Sequence, residues 1–219
     1  ANGNVTFADG LTFTRPGAYG FTIHEIKGEL GGVTYDGAVY TATAQVTDNS
    51  NGTLSVTWLG ADVDQSPVDA VTFNNTYTVK PTSVVLGGTK VLDGRKLSAG
   101  EFSFQLADKD GKVIDTAANG EDGTFAFTSV EFDEAGVYEY VISEIVPEDT
   151  DAKTAGVQKD NVTYDETSFS VKVTVTDDGQ GNLSVSEVTY NGDVKLPVFT
   201  NVYVEPEPAP EQVMLSEIC

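Results

Sequence analysis

The chain has almost no thiol chemistry at its disposal, since its single cysteine, Cys219, is the last residue. An internal disulfide is excluded, and any covalent staple must be made from other side chains. A cysteine in that place is expected to mark a cut end or an added residue. Positive charge is also scarce. Against 34 acidic residues stand 12 lysines and arginines, giving a formal net charge of −22. Phosphate backbones and anionic headgroups would be repelled, so neither nucleic acid nor an anionic membrane surface is an expected partner. No apolar run approaches the roughly 20 residues of a membrane-spanning helix. The N-terminus has neither a basic nor a hydrophobic stretch, so the chain is expected to be an internal piece of a longer protein. Long amphipathic helical patterns are missing. The one histidine, His24, has no serine partner for a nucleophile-base dyad and is expected to face solvent. No cofactor is expected.

What is abundant is Val, Thr, Tyr, Phe and Gly, in short alternating runs between turn-like clusters, which is an all-β signature. Strands are expected at residues 5–7, 11–13, 19–26, 38–47, 53–58 and 71–77. A second set is expected at 83–92, 101–107, 124–127, 137–146, 168–176, 182–190 and 198–203. The clusters Asp48-Asn49-Ser50-Asn51-Gly52, Asp108-Lys109-Asp110-Gly111 and Asp177-Asp178-Gly179-Gln180-Gly181 read as turns. No glutamate closes the first at calcium-loop spacing, and no metal is expected there. Trp58, at a strand end, reads as core or rim packing.

The two sets are copies of one unit. Val33-Thr34-Tyr35-Asp36 matches Val162-Thr163-Tyr164-Asp165, and the step of 15 residues from Val33 to Asp48 recurs from Val162 to Asp177. Leu54-Ser55-Val56 matches Leu183-Ser184-Val185, and Gly17-Ala18-Tyr19 through Glu25 matches Gly136-Val137-Tyr138 through Glu144. The expected organisation is a module at 1–79, a module at 80–204 and a Pro/Glu-rich spacer and tail at 205–219. The second copy has a charged insertion at 147–160, expected to be a solvated loop. Ala1-Asn2-Gly3 aligns with Ala118-Asn119-Gly120, so whatever corresponds to 81–117 is missing from the first copy, which is expected to lack its opening strands.

Strand parity singles out three polar residues of the second copy. Lys90 shares a face with Leu86 and Leu92, Glu144 with Tyr138, Tyr140 and Ile142, and Asn201 with Phe199 and Tyr203. An unpartnered buried carboxamide costs roughly 2–7 kcal/mol, so Asn201 needs a partner or a reaction. Desolvation lowers a lysine pKa and raises a glutamate pKa, which favours a neutral amine beside a protonated acid. The amine is then a nucleophile toward the asparagine side-chain carbon. Glu144 is expected to hydrogen-bond the Asn201 carbonyl and shuttle protons while ammonia leaves. The product would be an amide joining the first strand of the module to the last.

The residues Gly88-Thr89-Lys90-Val91-Leu92, Gly94-Arg95, Gly100-Glu101-Phe102-Ser103-Phe104, Tyr138-Glu139-Tyr140, Ser143-Glu144 and Phe199-Thr200-Asn201-Val202-Tyr203 carry a resemblance. In order and spacing they are similar to the streptococcal-type pilin isopeptide-linkage domains of Gram-positive pilus backbone proteins and surface stalks. The resemblance implies Lys90 and Asn201 as the bonded pair, Glu144 as the catalytic acid, and Ig-like, CnaB-type β-sandwiches. It also implies an extracellular, cell-wall or cell-surface location.

In the first copy Glu25 and Asn75 match the acid and the amide, but their lysine would fall in the missing segment, so both are latent. Lys27 and Lys80 are not convincing substitutes, and no cross-link is expected there. The open first sandwich either invites pairing with a strand from another chain or is a module whose opening strands precede residue 1 in a longer repeat protein, and the second is the leading expectation. The expected role is a structural segment of a surface stalk or pilus-like fibre, not an enzyme. Its expected partners are neighbouring modules or other fibre subunits. The alternative is a ligand-binding adhesin using loops 61–69 or 147–160.

Overall fold

The computed structural model describes residues 3–6, 10–59, 71–147 and 158–208, and among them there is no helix. The chain divides into two compact units, Ala1–Thr78 and Val79–Cys219. Each is built as an Ig-like β-sandwich.

The first unit contains β1 (Gly17–His24), β2 (Val33–Thr34), β3 (Val39–Asp48), β4 (Leu54–Leu59) and β5 (Thr76–Tyr77). β1, β3 and β4 form an antiparallel sheet in that order, and β2 pairs with β5. Strict alternation along β1 puts Tyr19, Phe21 and Ile23 on the inner face and leaves His24 exposed. Two expected strands do not form among the described residues. Residues 11–13 are irregular, and Phe13 instead packs its ring 4.8 Å from that of Tyr19. Residues 5 and 6 are irregular as well, and Phe7 lies outside the described residues. The strand expected at 71–77 shrinks to β5, because among the described residues no neighbouring strand runs beside 71–75 to complete a ladder.

The second unit contains β6 (Thr82–Val84), β7 (Gly87–Asp93), β8 (Ser103–Asp108), β9 (Val113–Ala118), β10 (Thr124–Ala126) and β11 (Val130–Phe132). It continues with β12 (Gly136–Glu144), β13 (Gln158–Lys159), β14 (Val162–Thr163), β15 (Ser168–Asp177), β16 (Leu183–Tyr190) and β17 (Val198–Tyr203). One five-stranded sheet has the order β10-β7-β17-β14-β13, the other β16-β15-β12-β8-β9, and β6 pairs separately with β11. The expected strand 83–92 is thus two strands in different sheets. β9, absent from the sequence-based set, is an edge strand whose Val113 and Ile114 are exposed and whose inward positions are Asp115 and the small Ala117, so no large apolar residue marks its inner face. The three-stranded sheet of the first unit corresponds to β12, β15 and β16, and its β2–β5 pair to β14 and β17.

The core of the second unit fills the gap between its two large sheets. Phe104, Leu106, Ile142, Val171 and Val173 from one sheet meet Leu92, Phe125 and Phe199 from the other, joined by Leu86 from the segment just before β7. Phe104 stacks on Phe125 at 3.8 Å and tilts against Phe199 at 5.2 Å. β7 and β17 lie side by side in parallel, Phe199 opposite Lys90 and Asn201 opposite Leu92, while every other strand pairing of the unit is antiparallel. The chain leaves β7 through Gly94 at φ +96°, where a Cβ would sit 2.1 Å from the Tyr203 carbonyl oxygen, so only glycine lets the turn close against β17.

Candidate functional site

Lys90, Glu144 and Asn201 come from β7, β12 and β17 and meet inside this core, where they are 2 %, 6 % and 0 % exposed. The lysine has few ways to be there. Its Nζ donates to Glu144 Oε2 at 2.6 Å and lies 4.7 Å from the centre of the Phe102 ring. Asn201 Nδ2 donates to the other carboxylate oxygen, Oε1, at 2.7 Å. A single carboxyl group therefore bridges the amine and the carboxamide nitrogen.

This differs from the expected contact between Glu144 and the Asn201 carbonyl. The carbonyl is taken from the other side by the backbone N–H of Asp165, which donates to Asn201 Oδ1 at 2.7 Å. A backbone N–H has only its proton to offer, so it fixes the amide with oxygen toward Asp165 and nitrogen toward Glu144. Asp165 is in turn held by its own carboxylate, whose Oδ2 accepts from Thr200 N–H at 2.8 Å and Oδ1 from Thr167 N–H at 2.9 Å. The sequence reading did not assign Asp165 a role. The signal was present in the recurrence of Val-Thr-Tyr-Asp at 33–36 and 162–165.

Burial sets the charge states. Desolvation pushes the Lys90 pKa below its ordinary value, although its hydrogen bond and attraction to Glu144 act the other way. Desolvation likewise pushes the Glu144 carboxyl above the usual range, against the same contacts to Lys90. Both shifts favour transfer of the proton from amine to acid. At Asp165 burial raises the pKa, but hydrogen bonds from Thr167 and Thr200 outweigh it and hold the carboxyl below the ordinary value. Its stabilising contribution is therefore complete above the unfolded carboxylate pKa and is lost as pH falls through the lowered folded value. Asp165→Ala is expected to slow cross-linking more than it destabilises the folded unit, measured as the rate of ammonia loss by mass spectrometry beside the melting temperature. Asp165→Asn, which keeps one oxygen acceptor, is expected to recover part of the rate.

The surrounding shell is also organised. Asn119, a second buried carboxamide that the sequence reading left without a role, accepts the Phe102 N–H at 2.8 Å and donates to the carbonyls of Ser98 and Gly120. It holds Phe102 over the lysine. Arg95 pairs with Glu101 and lies 4.9 Å above the Tyr203 ring, closing the end of the site next to Asn201.

The first unit reproduces half of this arrangement. Asn75 Nδ2 donates to Glu25 Oε1 at 2.7 Å, and Asp36 N–H donates to Asn75 Oδ1 at 2.7 Å. Asp36 Oδ2 accepts from Asn74 N–H and Oδ1 from Ala38 N–H, as Asp165 does in the second unit. Glu25 Oε2, the counterpart of the oxygen that receives Lys90, is buried and has no hydrogen-bond partner. Lys27, in the same unit, makes no hydrogen bond to it. Glu25 is half-buried and Asn75 exposed, in contrast to their counterparts.

The remaining candidates have local explanations. Asp48 and Asp108 accept from their own turns' backbone N–H groups, and Asp177 and Asp178 do the same through Gly179 and Gln180. No group of potential metal ligands occurs among the described residues. Trp58 is 53 % exposed and packs on Phe21 at 5.7 Å, a rim position. Residues 61–69, 148–157 and 209–219, including Cys219, lie outside the described residues.

A family model described as the Spy0128-like isopeptide containing domain matches residues 2–78 and again residues 86–204. Among solved structures, a mutant of the major pilin from Streptococcus pyogenes aligns at 18 % identity with a TM-score of 0.33, over 54 % of this chain. The alignment takes in 50 % of that pilin's length. No curated protein matches the chain.

Proposed function

Since the chain belongs to the Spy0128-like isopeptide-containing domain family, we propose that it is a structural segment of a Gram-positive surface stalk or pilus-like fibre, made rigid by one self-formed Lys90–Asn201 amide. The observation that carries this reading is the bridging carboxyl of Glu144, bonded at once to the attacking amine and to the nitrogen that must leave.

The reaction follows from that placement. Glu144 takes a proton from Lys90 Nζ, and the neutral amine adds to Asn201 Cγ. The developing oxyanion at Oδ1 is met by the Asp165 N–H. Glu144 then returns the proton to Nδ2, the Cγ–Nδ2 bond breaks, and ammonia departs. The lysine nitrogen gives its remaining surplus proton to the Glu144 carboxylate, free again after that step, as the amide forms. Nothing in the protein is regenerated, so the reaction runs once per molecule and the chain is not an enzyme.

A pH profile tests the proton inventory. The productive pair carries a single exchangeable proton between Lys90 and Glu144. Below the lower apparent pKa of the pair both groups are protonated and the nucleophile is lost; above the upper one both are deprotonated and the acid is lost. Cross-linking of freshly synthesised chain, folded at a series of pH values and followed by mass, is expected to show a bell-shaped rate. A rate rising monotonically with pH would remove Glu144 from its role as proton donor.

The bond lies where tension would act. β7 and β17 are neighbours and parallel, so pulling the start of β7 against the end of β17 shears one along the other. A covalent tie between them passes the force across without opening the sandwich. The adhesin reading rests on residues 61–69 and 147–160, most of which lie outside the described residues, and no observed contact favours it. Neighbouring modules and fibre subunits are the partners this role requires.

A further inference from the structure

We propose that Asn119 is a positioning residue for the cross-linking reaction: from the turn that grips the Lys90 backbone, it fixes the Phe102 ring against the Lys90 amine and keeps that amine dry. The inference rests on the Lys90–Asn201 reading and adds to it a residue whose own side chain bonds to Phe102, Ser98 and Gly120.

Asn119 is 3 % exposed and stands just after β9. Its backbone N–H donates to the Phe102 carbonyl at 3.1 Å while its Oδ1 accepts the Phe102 N–H at 2.8 Å, so one residue holds both polar groups of the Phe102 main chain. The two Nδ2 protons go to the Ser98 and Gly120 carbonyls, and the Asn119 carbonyl accepts from Gly100 N–H at 2.7 Å. One acceptor and two donors on the same side chain are what a carboxamide offers and a carboxylate does not. Alternate residues of the approach to β8, namely Ser98, Gly100 and Phe102, are thereby tied to Asn119.

The same turn reaches the lysine directly. Lys90 N–H donates to the Gly123 carbonyl at 2.7 Å, and Gly123, at φ +85°, comes so close that a Cβ would lie 2.2 Å from the Lys90 carbonyl oxygen. Residues 119–123 therefore hold the lysine at both ends, its backbone through Gly123 and its amine through Phe102, whose ring centre is 4.7 Å from Nζ. The Phe102 ring also meets that of Tyr164, edge to face at 5.7 Å. Tyr164 precedes Asp165, whose N–H holds the Asn201 carbonyl. One ring thus packs against both the nucleophile and the residue next to the oxyanion donor.

The ring takes the place of water at the amine. Its face attracts an ammonium, but less than the water it displaces, so it favours a neutral amine beside a protonated carboxyl over the ion pair. Desolvation is already the first influence on both Lys90 and Glu144. The other titratable groups that face the pair are Asp165, Glu101 and Tyr164, and a change at Asn119 leaves all three in the chain. Removing the Asn119 carboxamide frees Phe102 to shift. Water then reaches Nζ, and the neutral pair from which attack starts becomes rarer.

The test is to fold freshly synthesised Asn119→Ala chain over a series of pH values and to follow ammonia loss by intact mass, with the folded fraction read by circular dichroism. The rate per folded molecule at the optimum is expected to fall about tenfold, the change that one unit of relative pKa makes. The two limbs of the bell are expected to move apart, because hydration lowers the first apparent pKa of the pair and raises the second. Phe102→Ala is expected to act alike, and the Asn119→Ala/Phe102→Ala double variant to be no slower than Phe102→Ala alone, since one residue works through the other. Phe102→Leu, which keeps an apolar core residue but no ring over Nζ, gives the same reading where an alanine variant does not fold. Unaltered rate and limbs in Asn119→Ala or Phe102→Leu would overturn the proposal. So would a lower rate with both limbs unmoved, or a double variant slowed by the product of the two single effects. Failure of the underlying Lys90–Asn201 reading is separately visible, because the unaltered chain would then keep its full mass at every pH.

Discussion

Lys90→Ala and Asn201→Ala are each expected to restore one ammonia to the mass of the chain and to lower the melting temperature of the second unit steeply. The proposed amide would close a loop from residue 90 to residue 201. In the chain-entropy account a loop of about 100 residues contributes about 4.7 kcal/mol by restricting the unfolded chain. At roughly 2–8 °C per kcal/mol, depending on domain size, that is a fall on the order of 10–40 °C. Compared with an uncross-linked chain that keeps its lysine, Lys90→Ala carries a second penalty, because it leaves Glu144 buried with its ionic partner gone, a loss of about 3–5 kcal/mol where such pairs have been broken. Asn201→Ala leaves the Lys90–Glu144 pair standing but strips Asp165 N–H of its acceptor. The two variants should therefore agree in mass and differ in stability, with Lys90→Ala the less stable. Calorimetry beside intact-mass analysis reads both. Two variants that melt with the unaltered chain would show that no covalent tie had been lost.

Glu144→Gln should give the second large effect, on rate. Glutamine keeps the shape and can still meet Asn201, but it cannot accept a proton from Lys90 and pass it to Nδ2. Removing a positioned general acid–base group typically costs 10²–10⁴-fold, and here the same group sets both halves of the transfer. Purified Glu144→Gln chain is expected to be folded, to retain free Lys90 and Asn201 in a peptide map, and to show its full mass. If it cross-links at an unaltered rate, burial of the amine alone is sufficient and the carboxyl is only a counter-ion.

That Lys90, Glu144 and Asn201 meet in the core could be read before the fold was known, because each of the three breaks a pattern. A lysine, a glutamate and an asparagine at inward positions of otherwise apolar strands are conspicuous by parity, and strand alternation survives tertiary context well where one face is buried. Asp165 broke no pattern. It acts chiefly through its backbone N–H, which every residue but proline possesses, so its identity carried only the weaker signal of the repeated Val-Thr-Tyr-Asp. The orientation of the Asn201 amide was likewise out of reach, since it depends on which neighbour offers a proton.

The fold shows the same division. Strands β3, β12 and β15 sit where alternation placed them, because both neighbours in the sheet reinforce the local preference. The division of 83–92 into β6 and β7 was not readable, since both halves are apolar and the break at Val85-Leu86 reflects a change of sheet, not of composition. Residues 71–75 have the same character as 198–202 but remain irregular. They differ in what lies alongside, since β17 has β7 as a neighbour and the described residues provide no such strand to 71–75.

The most direct measurement is the intact mass of the unaltered, folded chain, followed by proteolysis and sequencing of the fragments. The account predicts a mass one ammonia below that of the sequence, with a branched peptide joining the strand that bears Lys90 to the strand that bears Asn201. A full sequence mass, with the two side chains recovered on separate peptides, would contradict it.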